Sequence, residues 1–185
     1  MKNIVIVYFS ETETTHHIAE HIAMGCGSIT NVDVASHRIS GSEIEHGRFT
    51  NSHCLELVDS ADAVIFGSPT YMGGPAAQFK AFADATSDRW DTQAWSGKLA
   101  AGFTVGANAS GDQLATLQYF TILTAQHGML WVGLDVTATF DTDGRNPLGA
   151  QLGLAVHSLS PTLSALDKTT AEYFGARVAE TVNRL

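Results

Sequence analysis

Ile4 to Phe9 (IVIVYF) is an unbroken apolar run of β-branched and aromatic residues. A strand with one wet face alternates apolar and polar residues. A run without alternation suits a strand buried on both faces, as in a parallel sheet covered by helices. Ser10 to Thr15 follow, hydroxylic at Ser10, Thr12, Thr14 and Thr15. A helical pattern then places Ile18, Ala19, Ile22 and Ala23 on one face. A strand, a tight hydroxyl-rich turn and a helix together make a cradle for an anion. The first amides of a helix lack internal partners and carry the positive end of its dipole. No lysine sits in the loop, so it is not a triphosphate-binding Walker loop, and a monophosphate held by amides and hydroxyls fits better. The alternative is a threonine-rich turn that only caps the helix.

The same grammar recurs down the chain. Val32 to Ala35 reads as a short second strand, and Ser36 to Ser52 as a polar surface connection. Gly25 and Gly27 break the first helical pattern between them. A short helix is expected over Cys54 to Ser60. Ala61 to Gly67 (ADAVIFG) is the third strand, ending in the dense turn signal SPTYMGGP. Pro75 at a first helical position opens a helix with Phe79, Phe82 and Ala83 inward. Lys98 to Val105 is the fourth strand, ending at GANASGD. Asp112 to His127 is a helix with Leu114, Leu117 and Leu123 inward, stopped by Gly128. Met129 to Val136 is the fifth strand. Thr137 to Ser164, with Gly, Pro, Asn and Asp throughout, is expected to be irregular. Asp167 to Arg184 closes the chain as a helix with Ala171, Phe174, Val178 and Val182 inward.

Five apolar strands alternating with helices give one α/β domain over residues 1–185, a parallel sheet with helices on both faces. In such sheets ligands sit beyond the carboxyl ends of the strands. Three loops rich in small and hydroxylic residues fall there: SETETT, SPTYMGGP and TVGANASG. The net charge of −9 argues against nucleic acid and anionic membranes as partners. Cys26 and Cys54 form no CxxC motif, and with no signal peptide they read as reduced cytoplasmic thiols. His17 and His21 share a helix face, but no third ligand is evident, so no metal is expected. Asp141, Asp143 and Gly144 resemble a fragment of a calcium loop without its later ligands and read as a turn.

These residues resemble the flavodoxin-like superfamily, and within it the WrbA-type NAD(P)H:quinone oxidoreductases and NADPH-dependent FMN reductases. Ser10, Thr12 and Thr15 are similar to that group's S-x-T-G-x-T phosphate loop. GSPTYMGGPAAQFKAF, TVGANASGDQLATLQ, AQHGMLWVG and YFGARVAE resemble its later segments, so the likeness spans nearly the whole chain. The resemblance implies a three-layer sandwich, a five-stranded parallel sheet of order 2-1-3-4-5, FMN as cofactor and NAD(P)H as electron donor. It also implies a small quinone-like acceptor and a homo-oligomer, a dimer or tetramer. It assigns the FMN phosphate to Ser10, Thr12, Glu13, Thr14 and Thr15, and the flavin ring to Pro69, Thr70, Tyr71, Met72 and Gly73. Val105, Gly106, Ala107, Asn108, Ala109, Ser110 and Gly111 would meet the ring's pyrimidine edge. It implies that His127 touches the flavin or a substrate, and that Trp90 covers the flavin of a neighbouring subunit as a slot for planar acceptors. Trp95 and Trp131 read as packing. The flavin carries the chemistry, so no side-chain acid or base is expected. An electron carrier without NAD(P)H activity, or a relative poor in FMN, are the alternatives.

Three departures from the family pattern stand out. Gln126 replaces the first histidine of a usual pair, and Tyr71 sits where arginine is common. Glu13 stands where most such loops have glycine. A carboxylate beside a phosphate is repulsive unless it points away, so Glu13→Gly is expected to tighten FMN binding, less so at high salt.

Overall fold

A computed structural model describes residues 1–185. The strands are β1 (Lys2–Phe9), β2 (Val32–Ile39), β3 (Ile44–Glu45), β4 (Arg48–Phe49), β5 (Ala63–Tyr71), β6 (Gly74–Pro75), β7 (Leu99–Gly106), β8 (Leu130–Trp131) and β9 (Leu154–His157). The helices are α1 (Thr14–Gly27), α2 (Ser52–Ser60), α3 (Ala77–Asp84), α4 (Ser87–Asp91), α5 (Gln113–Gln126) and α6 (Ala165–Asn183). The main sheet runs β2-β1-β5-β7, all parallel, and β8 and β9 both pair with β7 in its fifth place. This is the expected flavodoxin-like order, with the fifth position shared by two segments.

Alternation along β1 explains the three layers. Ile4, Ile6 and Tyr8 face a core completed by Ile18 and Ile22 of α1 and Phe174 and Val178 of α6. Val5, Val7 and Phe9 face the opposite core, built from Val58 of α2, Phe79 and Phe82 of α3, and Phe120 of α5. Both faces are covered, which is why the strand reads as a solid apolar run.

Several boundaries differ from expectation. The second strand continues to Ile39, because Tyr8 and Phe9 of β1 pair with Arg38 and Ile39. The connection after it holds the small β3–β4 hairpin. Pro75 does not open a helix: it pairs with Thr70, and α3 begins at Ala77. Gly25 lies inside α1, where it lets α6 approach. Leu114 is exposed, while Leu117 and Leu123 are buried.

The fifth strand is the main correction. Only Leu130 and Trp131 pair as a strand, beside Leu99 and Ala100. The chain then leaves β7, and Leu134 N donates to Gln151 O. Val132, Leu134 and Val136 still reach the core, so their apolar pattern reports burial rather than pairing. The upper half of β7 is taken instead by β9, which lies inside the stretch expected to be irregular. Phe103 to Gly106 pair with Leu154 to His157.

Candidate cofactor cleft

β1 ends at Phe9, and the chain turns through Ser10 to Glu13 into α1. Ser10 Oγ accepts from the amide of His16 at 3.1 Å, and Glu13 O accepts from that of His17 at 2.9 Å. No protein acceptor takes the amides of Thr12, Glu13, Thr14 or Thr15, and the N-cap side chain makes no capping bond. These donors are open, as an anion site needs. The first turn is held from behind by Tyr8, whose Oη lies 2.6 Å from His16 Nδ1.

Glu13 has φ 67°, the left-handed conformation that glycine adopts freely, which accounts for the glycine usual at this place. Its carboxylate does not point at the open amides. Arg38, at the carboxyl end of β2, grips it with Nη1 to Oε2 at 2.9 Å and Nη2 to Oε1 at 2.6 Å. Arg38 Nη2 also donates to Ser10 O at 2.8 Å. The guanidinium hydrogen bonds hold the Glu13 carboxyl below the usual carboxylate range. The repulsion expected from the sequence is therefore opposed by a partner 25 residues away.

Beyond the strand ends lies a cleft of about 310 Å3. The first loop contributes Thr12 and Thr14 to it. The end of β5 contributes Pro69, Thr70 and Tyr71, and the end of β7 contributes Val105, Gly106 and Ala107. The three loops singled out in the sequence thus line one cleft. Met72 and Gly73 form the tip of the tight β5–β6 turn, with φ 49° and 78°. Ser10, Glu13 and Thr15 lie on the same loop and first turn but do not line the cleft. Asn108, Ala109, Ser110 and Gly111 lead from the end of β7 toward α5 outside the cleft lining, and no lining side chain is charged. Thr70 Oγ1 lies 2.8 Å from both Thr104 Oγ1 and Thr116 Oγ1, which fixes the wall between β5 and α5.

A fourth wall was not foreseen: Ser158, Leu159, Ser160 and Pro161, after β9. It is tied to α1 at two points. Thr14 Oγ1 donates to Ser160 O at 3.3 Å, and His17 Nδ1 donates to Pro161 O at 2.9 Å. The signal was present, because LAVHSLSP repeats the order of apolar run, serine and proline in VIFGSP.

His127 and Trp90 lie elsewhere. α5 starts beyond the carboxyl end of β7 and runs back along the sheet for 14 residues, about 21 Å. Gly128 O then accepts from Gly97 N, just before β7 begins. His127 is therefore at the opposite rim. It lines a cavity of about 430 Å3 with Trp90, Thr86, Tyr119 and Ile122. Thr86 Oγ1 donates to Ala83 O at 2.7 Å, so the proton between Thr86 and His127 comes from His127 Nε2, 2.8 Å away. Nδ1 is then an unprotonated acceptor, and it is buried without a partner. Burial holds this imidazole below its ordinary pKa. Its ring lies 4.5 Å from that of Trp95, which is fully buried and packs as expected. Trp90 stays 51% exposed.

Residues 11–143 match the sequence model of a family described as NADPH-dependent FMN reductase. Flavodoxin FldP from Pseudomonas aeruginosa (strain UCBPP-PA14) is 35% identical over 97% of this chain and 96% of its own. An NAD(P)H dehydrogenase (quinone) from Syntrophobacter fumaroxidans (strain DSM 10017 / MPOB) is 30% identical over 98% of both chains. The crystal structure of a WrbA-like flavodoxin from Agrobacterium tumefaciens superposes with a TM-score of 0.77, at 36% identity over 100% of this chain and 99% of that one. With the parallel sheet and the open amides at its rim, these matches place the chain: it belongs to the NADPH-dependent FMN reductase family, as a flavodoxin-like protein of the WrbA type.

Proposed function

We propose that the protein is an FMN-dependent oxidoreductase that passes electrons from NAD(P)H to a quinone-like acceptor. The observation that carries this reading is the meeting of open helix-terminal amides with an uncharged cleft walled by the ends of β5, β7 and β9. The amides of Thr12 to Thr15 bind the phosphate. The backbone at Pro69 to Tyr71 and at Val105 to Ala107 flanks the ring. FMN, when bound, supplies two-electron exchange between nicotinamide and acceptor. The chain's task is to orient the reactants and hold water off; the hydroxyls of Thr70, Thr104 and Thr116 keep one wall rigid for it.

The test is steady-state oxidation of NADH or NADPH by purified protein with FMN and benzoquinone. Sustained turnover is expected. A protein that accepts electrons once and then stops is instead a carrier. That second reading has its own support, since the relative at 35% identity is named a flavodoxin. Extraction of the bound flavin should return FMN. The cleft offers one monophosphate site, and the sequence has no GxGxxG fingerprint for a dinucleotide. Recovery of FAD alone would show the loop to be misread.

The reading extends to assembly. Trp90 and the 62% exposed Ile122 frame the cavity at the rim opposite the chain's own cleft. A role for them at the flavin requires a second copy, with the flavin of one subunit under Trp90 of another. No helix is long and apolar enough to cross a membrane. Both thiols are unlinked and buried, which supports a reducing compartment such as the cytoplasm.

A further inference from the structure

Neither Arg38 nor Glu13 lines the cleft, yet the pair they form braces the loop that carries the open amides. The register of β1 with β2 brings it there: Arg38 lies opposite Tyr8, two residues before Ser10. Each carboxylate oxygen of Glu13 receives its own guanidinium nitrogen. This bidentate geometry places one positive charge on one negative charge in a fixed plane. The spare capacity of Nη2 goes to the carbonyl of Ser10, so the same group ties β2 to the first residue of the loop.

We propose that Arg38 is a positioning residue for phosphorylated flavin, which acts through Glu13 by cancelling its charge beside the phosphate-binding amides. The inference rests on the reading of this loop as the FMN phosphate site. The cleft lining supplies no cation, and the chain as a whole carries −9, so the phosphate relies on neutral donors. Glu11, on the same loop, is a second exposed carboxylate without an ion-pair partner. His16 and His17 face Glu13 from the first turn of α1, but His16 is engaged with Tyr8 and Glu20, and His17 with Pro161. Arg38 is therefore the permanent positive charge of this loop. Without it, two carboxylates would stand beside a dianion.

The prediction is a charge series. Removing Arg38 leaves the pair position at −1, the wild type and the double variant stand at 0, and removing the Glu13 charge leaves +1. FMN and riboflavin affinities are measured by fluorescence titration of the apoprotein at low and high salt, for wild type, Arg38→Ala, Glu13→Gln and the double variant. Arg38→Ala should weaken FMN about fivefold at low salt, with the effect fading as salt rises. Glu13→Gln should bind FMN at least as tightly as wild type, and the double variant should return to wild type. Riboflavin, which lacks the phosphate, should be indifferent to all four. Unchanged FMN affinity in Arg38→Ala would overturn the proposal. So would equal losses in Arg38→Ala and Glu13→Gln, the mark of a structural brace, or a parallel fall in riboflavin. The underlying reading fails separately: wild-type protein that binds FMN no better than riboflavin would place the phosphate elsewhere, whatever Arg38 does.

Discussion

Replacing Gly175 by alanine is expected to cost about 3 kcal/mol of folding stability, a large share of what a domain of this size has to lose. α1 and α6 pack with their backbones in contact. A Cβ on Gly175 would stand 2.1 Å from Ile22 O and 3.0 Å from Cys26 N. Both are main-chain atoms within α1, so no side-chain rotation relieves the overlap. Gly25 makes the reciprocal approach, with a Cβ position 1.9 Å from Glu172 O. Cys26 Sγ donates to Gly175 O at 3.2 Å across the same seam. The helices would have to separate by an ångström or more, loosening Ile18, Ile22, Phe174 and Val178 together. Gly27 is the control, because a Cβ there meets nothing within 4 Å. Gly27→Ala should be neutral or slightly stabilising. Urea titrations of the two variants give the comparison. Equal midpoints would mean that the close helix contact does not constrain the fold. The effect also reaches function, since α1 carries the open amides at its other end, and FMN affinity should fall along with stability.

The sheet and its three loops were legible because each rests on local signals. β1, β5 and β7 are continuous apolar runs, and each is followed by a cluster of small or hydroxylic residues. Such runs report burial on two faces without knowledge of what does the burying. What failed depended on distant partners. Met129 to Val136 has the composition of a strand, but which segment pairs with β7 is decided by the return of residues 151–157. Leu114 shows the limit of periodicity on α5. That helix carries leucine or isoleucine at Leu114, Leu117, Ile122 and Leu123, and the stripe does not say which two face outward. Glu13 shows the same limit for charge. Its left-handed conformation and its carboxylate could be read as a defect in the loop. The compensating Arg38 becomes visible only once β2 is known to extend past Ala35.

Two damaged proteins should restore each other if the flavin site is shared between copies. In a shared site, Trp90→Ala should cut quinone turnover on the order of tenfold, because it would remove one wall of a planar slot and leave the proposed cofactor cleft untouched. The helix carrying Trp90 should survive the change. Arg89 grips Asp59 with its Nη2 at 3.0 Å from Oδ2, and Trp95 Nε1 donates to Asp59 Oδ1 at 2.7 Å, so α4 is pinned to α2 independently of the indole. Ala107→Glu should act at the other rim. Ala107 is exposed on the cleft wall, and a carboxylate there meets a cleft with no cation to pair it. Each variant alone then lacks one half of every site. Co-expressed, they form mixed oligomers in which an intact cleft of one chain meets an intact Trp90 of the other. Activity of the mixture should exceed the mean of the separate proteins severalfold, and light scattering should find an oligomer under assay conditions. Dilution to monomers should then cost turnover before it costs secondary structure. A mixture no better than its mean, or a fully active monomer, would leave Trp90 as an exposed packing residue and each cleft complete within its own chain.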